Sequence, residues 1–218
     1  MKTLCIFDLD GTLTDSKPGI INAATYAIKS MGVTSTSYSG SLECLIGPPI
    51  RDALRIIHPF TDTEVEEAVR KFREYYIPKG MLENTMYPGI MDLLAKLQAD
   101  GVAMAIATSK QETQAKYIAG HFGFDKYFDV IVGATPDGSR ERKGDVITAV
   151  LDELGRDNFA DIIMIGDREH DIIGAGETGL DCIGIAWGYG SVQELEAAGA
   201  KTVVHSAEEL YEAICKRR

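Results

Sequence analysis

The sequence predicts an α/β protein, a doubly wound and mostly parallel sheet interrupted early by an all-helical insert. Three observations carry that expectation. Residues 4–7, Leu-Cys-Ile-Phe, form a continuous apolar run of the kind a strand buried on both faces shows. From residue 88 onward, short apolar runs alternate with amphipathic stretches, the pattern of a parallel sheet with helices on both sides. Residues 15–85, which separate the two, read as helices and loops.

Taken in order, the first strand runs straight into Asp8-Leu9-Asp10, and Gly11 ends it where the backbone must turn sharply. A helix follows, with Ile20, Ala24, Ala27, Ile28 and Met31 at three- and four-residue steps, Asp15 or Ser16 as its cap and Pro18 in its first turn. It stops at Gly32. Residues 34–41 are loop by composition, a short segment 42–46 leads on, and Gly47-Pro48-Pro49 predicts a rigid turn. Helices are expected over 51–57 and 62–76, the second with Val65, Val69, Phe72 and Tyr76 on one stripe. After Pro88-Gly89 come a helix ended by Gly101, a strand over 102–107, a helix over 111–121, a strand over 129–133 and a helix over 143–154. Strands over 161–166, 181–186 and 202–204, with a helical stretch from residue 170, complete the chain.

Bulk composition excludes several function classes. The formal net charge of −11 argues against a nucleic-acid partner, since such binding rests on basic patches. A small anionic ligand remains compatible if a few Lys or Arg converge locally. The four cysteines, Cys5, Cys44, Cys182 and Cys215, lie far apart, with neither a CxxC pair nor a Cys/His cluster, so disulfides and structural zinc are not expected. The chain opens on a strand and no apolar run approaches the ~18 residues of a membrane span. A cytoplasmic protein with no membrane partner is therefore expected.

Four places fall directly after strands or just before a helix, where an open α/β sheet presents groups to a ligand. They are Asp8 with Asp10, Thr108-Ser109-Lys110, Lys143, and Gly166-Asp167 followed by Asp171. Each has a plainer reading alone: an ordinary solvated turn for the first acids, a helix cap for Thr108-Ser109, a solvated helix start for Lys143, an N-cap for Asp171. His170 reads as a surface residue. Together they assemble four carboxylates, hydroxyls and two ammonium groups, an inventory suited to metal-assisted chemistry on a phosphate.

In this order Asp8-Leu-Asp10-Gly-Thr-Leu, Thr108-Ser-Lys110, Lys143 and Gly166-Asp167 with Asp171 resemble the motifs of the haloacid dehalogenase superfamily of phosphohydrolases, over the whole chain. The helical insert is similar to the cap of the branch holding phosphoglycolate phosphatases and β-phosphoglucomutases. Thr12-Leu-Thr14-Asp15, Ile46-Gly-Pro-Pro49, Tyr87-Pro-Gly89, Asp137-Gly-Ser-Arg140 and Trp187-Gly-Tyr-Gly190 look most like a bacterial subgroup assigned as 5′-nucleotidases. The resemblance implies a core of residues 1–14 and 86–218 and a cap of residues 15–85. It implies Asp8 as the nucleophile that takes the phosphoryl group and Asp10 as the general acid and base. Thr108, Ser109 and Lys143 would bind or neutralise the phosphate. Mg²⁺ would be held by Asp8, the Asp10 carbonyl and Asp167, with Asp171 beside them. Asp10 favours phosphate over halide chemistry, because halide leaves without a proton.

Substrate choice is expected to come largely from the cap. Arg51, just after the predicted Gly-Pro-Pro turn, is its candidate substrate contact, and Lys110 is a second candidate to hold the substrate, its plainer reading being a residue that lines the rim. The expected partner is a small phosphorylated metabolite, a nucleoside 5′-monophosphate first and phosphoglycolate next, with a sugar phosphomutase as the rival activity. A monomer or homodimer is expected.

Overall fold

The computed structural model describes residues 2–33, 45–46 and 50–217. The expected loop over 34–41 and the Gly47-Pro48-Pro49 turn lie outside the described residues. The elements follow the chain as β1 (Lys2–Phe7), β2 (Thr14–Asp15), α1 (Lys17–Ser30), α2 (Ile50–Ile57), α3 (Asp62–Tyr76), β3 (Thr85–Met86), α4 (Ile90–Ala99), β4 (Ala103–Gln111), α5 (Glu112–Phe122), β5 (Val130–Ala134), α6 (Lys143–Leu154), β6 (Phe159–Gly166), α7 (Glu169–Glu177), β7 (Asp181–Ile185), α8 (Val192–Ala197), β8 (Thr202–Val204) and α9 (Ala207–Cys215). They divide into two compact units, one of Met1–Thr14 with Met86–Arg218 and the other of Asp15–Thr85.

The first unit is built on a six-stranded sheet in the order β5-β4-β1-β6-β7-β8. Every adjacent pair is parallel. The apolar run of β1 has the reason the sequence suggests: Leu4, Cys5, Ile6 and Phe7 are wholly buried. Leu4 and Ile6 join Val146, Val150, Met164 and Ile172 in one cluster, and Phe7 meets Phe128 edge-on at 5.9 Å. Each large apolar side chain so buried contributes about 1.5–3 kcal/mol relative to leaving it exposed. Cys5 and Cys182 are buried in this unit and form no disulfide among the described residues.

Strand order reverses beside β1, with β4 and β5 added on one side and β6, β7 and β8 on the other. Open sheets form their ligand crevice at such a reversal, beyond the carboxyl ends of the strands. Register then decides which residues meet there. Phe7 pairs with both Ile106 of β4 and Ile165 of β6. Asp8, Thr108 and Asp167, one or two residues further on in each strand, therefore emerge near one level from strands about 4.8 Å apart.

Strand β4 continues beyond the expected residue 107, to Gln111. Thr108 pairs with Gly133 and Gln111 with Ala134, so Ser109 and Lys110 form a bulge between the two pairs. Bulges of this kind re-aim side chains beside functional sites. Gly133 makes room for it, because a Cβ there would stand 2.4 Å from the Lys110 carbonyl oxygen. The expectation that Thr108-Ser109 caps the next helix is corrected: both lie within the strand, Gln111 is the N-cap residue of α5, and it makes no side-chain capping bond. Helices α8 and α9 near the end of the chain were not anticipated.

Among the described residues, the regular structure of the second unit is helical apart from the strand residues at its two ends. Its core includes Leu54, Val65, Ala68 and Val69. Helix α3 starts on a capping box in which the Glu64 amide donates to the Thr61 hydroxyl and the Thr61 amide donates to the Glu64 carboxylate. Helix α1 begins after Ser16, whose side chain makes no capping bond; Asp15 instead accepts from the Lys17 amide. Gly19 lets α1 approach the chain at Gly80, where a Cβ would stand 1.9 Å from the carbonyl oxygen. Among the described residues, no helix is long and apolar enough to cross a membrane.

Candidate active site

Asp8 leaves β1 still tied to the sheet, its amide donating to the Ile165 carbonyl at 2.9 Å. Its Oδ1 accepts from the Leu9 amide at 2.7 Å and lies 2.8 Å from Lys143 Nζ. Lys143 is the first residue of α6, and its side chain is only 4% exposed. The ammonium also reaches Asp171 Oδ1 at 2.9 Å and the Ala107 carbonyl at 3.0 Å. One cation thus joins the ends of β1 and β4 to α7. Gly174 permits this approach, since a Cβ there would stand 2.8 Å from Lys143 Cβ.

Asp171 is not the N-cap of α7. It sits in the first turn, and its Oδ2 accepts from the amide of Arg168, the N-cap residue, at 3.1 Å. Its Oδ1 is left for Lys143. His170 is exposed, as expected of a surface residue.

Asp10 has a different cation. Lys110, aimed inward from the β4 bulge, places Nζ 2.5 Å from Asp10 Oδ2, and its side chain is 6% exposed. Lys110 is therefore a partner of Asp10 rather than a residue of the rim. The other oxygen, Asp10 Oδ1, is buried and has no hydrogen-bond partner among the described residues. Thr108 is buried and its hydroxyl accepts from the Lys110 amide at 3.2 Å, which keeps its own proton available to donate. Ser109 is half-buried in the same bulge.

Asp167 is fully buried and is held by uncharged donors. Thr12 Oγ1 donates to its Oδ1 at 3.2 Å, and the Tyr189 amide donates to its Oδ2 at 2.8 Å. The segment 187–190 wraps this carboxylate. A Cβ on Gly188 would stand 2.3 Å from Asp167 Cβ, and one on Gly190 would stand 2.1 Å from the Asp167 carbonyl oxygen. Gly11, at φ +82°, is equally constrained, with its Cβ position 2.3 Å from Asp167 Oδ2. Thr12, Trp187, Gly188, Tyr189 and Gly190 are the site residues the sequence did not assign. Two glycines spaced around an aromatic residue just after a strand were the available signal, since glycine there marks a close backbone approach.

Arg51 belongs to the helical unit, where Nε donates to Glu66 Oε1 at 2.7 Å. Arg140 of the Asp137-Gly-Ser-Arg140 stretch is clasped by Glu112 Oε2 at 2.5 Å and the Gly133 carbonyl at 2.9 Å, which fixes the loop after β5.

The charges do not balance: Asp8, Asp10, Asp167 and Asp171 face two ammonium groups. Burial, with the nearby Asp171 charge, pushes the Asp8 carboxyl up to about 6 even though Lys143 opposes the shift. Burial, then the charges of Asp171 and Asp8, raises Asp167 well above the usual carboxylate range. Burial acts to lower Lys143, but the charges of Asp171 and Asp8 more than offset it and hold the ammonium above its ordinary value. Asp8, Asp167 and Asp171 each offer an oxygen, and these lie within 4.8 Å of one another. A hard divalent cation suits such a set of oxygen donors, and the excess negative charge and the unpartnered Asp10 oxygen fit it as well.

An acidic crevice at the strand reversal, with one buried lysine bridging two of its acids, defines a hydrolase-type α/β site. The family model described as haloacid dehalogenase-like hydrolase matches residues 5–185. The chain belongs to that family. It is 40% identical over 214 residues to a protein of Mycobacterium tuberculosis named tyrosine-protein kinase PtkA, covering 97% of this chain and 72% of the relative. It is 39% identical over 192 residues to a 5′-nucleotidase of Pseudomonas aeruginosa, covering 88% of this chain and 86% of the relative. A crystal structure of a predicted phosphatase from Clostridium acetobutylicum superposes with a TM-score of 0.91 at 38% identity, covering 99% of each chain. The core is accordingly that of the family's phosphatases.

Proposed function

We propose that this protein hydrolyses small phosphomonoesters, nucleoside 5′-monophosphates foremost, through a phosphoryl group carried transiently on Asp8. The observation that carries the reading is the contact of Lys143 with both Asp8 and Asp171, which orients the first carboxylate while leaving the site net negative. An Asp8 oxygen attacks phosphorus and the bond to the ester oxygen breaks. Asp10 in its acid form gives that oxygen a proton. Asp10 then takes a proton from water, the water oxygen attacks phosphorus, and the bond to Asp8 breaks to release inorganic phosphate. Thr108 and the Ser109 amide hold phosphate oxygens, and Lys143 offsets their charge. Lys110 keeps Asp10 directed into the crevice.

Mg²⁺ would be held by Asp8, Asp167 and the Asp10 carbonyl, with Asp171 beside them, and would supply charge neutralisation and in-line orientation of the phosphoryl group. The helical unit serves as a cap in this reading. Arg51 is its candidate for contacting substrate, for which its guanidinium must exchange Glu66 for the ligand; an exposed pair gives up little on breaking. The nucleotide preference is supported by the Pseudomonas relative's name, and phosphoglycolate stands next because several relatives about 28% identical carry the name phosphoglycolate phosphatase. The protein would act on a soluble metabolite in the cytoplasm, as a monomer or homodimer.

The test is phosphate release from nucleoside monophosphates, phosphoglycolate and sugar phosphates, with Mg²⁺ or chelator, by wild type and Asp8→Asn. Mg²⁺-dependent release that vanishes in Asp8→Asn is expected, with a nucleoside monophosphate the best substrate. Release that survives in Asp8→Asn removes the nucleophile. Isomerisation of a sugar phosphate, or transfer to a tyrosine hydroxyl, without phosphate release would make the acceptor something other than water.

A further inference from the structure

We propose that Trp187 is a positioning residue for the Asp167 carboxylate, and through it for the divalent cation of the reading above, on which this inference rests. Asp8 and Asp171 share Lys143, and Asp10 has Lys110. Among the described residues Asp167 has no cationic partner, although it is fully buried. Its orientation therefore depends on neutral donors that must themselves be held in place.

Those donors come from distant parts of the chain. Thr12 lies in the turn after β1 and donates to Oδ1, whereas Tyr189 lies after β7 and donates to Oδ2. The Trp187 indole joins the two, its Nε1 donating to the Thr12 carbonyl at 3.1 Å. A closed circuit results, from Asp167 to Thr12, to Trp187, along the chain to Tyr189 and back. Gly188 lets the circuit close at this size, because its Cβ position lies 2.5 Å from the Gly11 carbonyl oxygen as well as against Asp167. Further on, Ser191 caps α8 and Glu194 accepts from Arg168 Nε at 2.7 Å and the Glu169 amide at 3.0 Å, so the far end of the segment is anchored independently of the indole.

Both carboxylate oxygens are thus restrained in rotation while their remaining lone pairs stay unused by any cation of the protein. Groups that orient a metal ligand without touching the metal typically change metal affinity by about 10–100-fold when removed. Thr12 and the Tyr189 amide fill that role directly, and Trp187 acts one contact further out, by holding the Thr12 main chain.

The test is calorimetric titration of the full chain with Mg²⁺ alone, without substrate. Trp187→Phe keeps an aromatic ring and removes the donor. Its Mg²⁺ Kd is expected to rise about tenfold, with the thermal midpoint in chelator and the substrate KM at saturating Mg²⁺ unchanged. Thr12→Val, which deletes the hydroxyl but keeps the main-chain carbonyl, is expected to weaken Mg²⁺ binding too. The double variant should then lose less than the two single effects combined, because both act through one circuit. A wild-type Kd in Trp187→Phe, a loss of affinity matched by a fall in the chelator midpoint, or independent effects in the double variant would each overturn the proposal. Asp167→Asn separates it from the parent reading. If that variant binds Mg²⁺ as wild type does, the metal site itself fails; if it loses binding while Trp187→Phe does not, only the positioning role fails.

Discussion

The two units treat charge in opposite ways. In the helical unit acids and bases meet at the surface: Arg70 lies between Glu67 and Glu74, Arg55 between Asp52 and Asp62, and Arg51 against Glu66. In the sheet unit Asp8, Asp167, Asp171 and Lys143 are buried together. Exposed pairs trade water for each other at nearly even terms and contribute little to stability. Buried charges lose their hydration, and three carboxylates around one ammonium do not recover it from each other. The helical unit's charges keep a helix soluble and in register, whereas the buried charges of the sheet unit oppose stability and suit a divalent cation.

The sharpest way to break that comparison is Lys143→Met. Removing the shared cation leaves Asp8 and Asp171 facing each other in the interior, so unfolding stability should fall by about 3–5 kcal/mol and phosphate release by about 10²–10³-fold. Denaturant titration and steady-state assay measure the two. A variant as stable as wild type would mean that the buried acids carry no uncompensated charge.

A smaller effect sharpens it through pH. Asp8 binds its proton more tightly in the folded chain, at about 6 against 3.8 in the unfolded one, and Asp167 is raised as well. Between those values the native state holds more protons than the unfolded state, so in chelator stability should fall as pH rises through that window. Surface carboxylates such as Glu66 and Glu67, held low by Arg51 and Arg70, act in the opposite sense but finish titrating near their ordinary value of 4.5. Thermal midpoints from about pH 5 to about pH 7 therefore isolate the buried acids. Excess Mg²⁺ should flatten or reverse the decline, since binding favours the deprotonated ligands.

The smallest effect comes from the helical unit. Thr61→Ala removes the capping hydroxyl of α3 and should cost about 1 kcal/mol, with the Mg²⁺ affinity unchanged. Chemical denaturation and Mg²⁺ titration check the two halves of that expectation.

Much of this was legible in the chain itself. The doubly wound sheet could be read because β1 is apolar at four successive positions, 4–7, and because strands end in residues that have no business in a core, such as Asp8, Thr108 and Asp167. Lys143 at a helix start was informative because a cation there opposes the helix dipole. What escaped was whatever acts through main chain or through absence of a side chain. The Trp187 to Gly190 segment works by an amide, an indole bond and two missing Cβ atoms, none of which produces periodicity. The pairing of Lys110 with Asp10 was not legible because the bulge that turns the lysine inward is a matter of register with β5. Helix α8 has six residues, too few for an amphipathic pattern to stand out.

The position of β1 also shapes how the protein comes to be made. It precedes both of its sheet neighbours in the chain by a long interval, since β4 and β6 begin at residues 103 and 159. Until then a strand with four successive apolar residues, Leu4 to Phe7, has both of its edges open, the condition under which nascent chains mispair. The intervening segment 15–85 forms its own compact unit with its own apolar core. The strand that bears Asp8 thus waits longest for its partners, and contacts between residues so far apart in sequence make closure of the sheet a slow step.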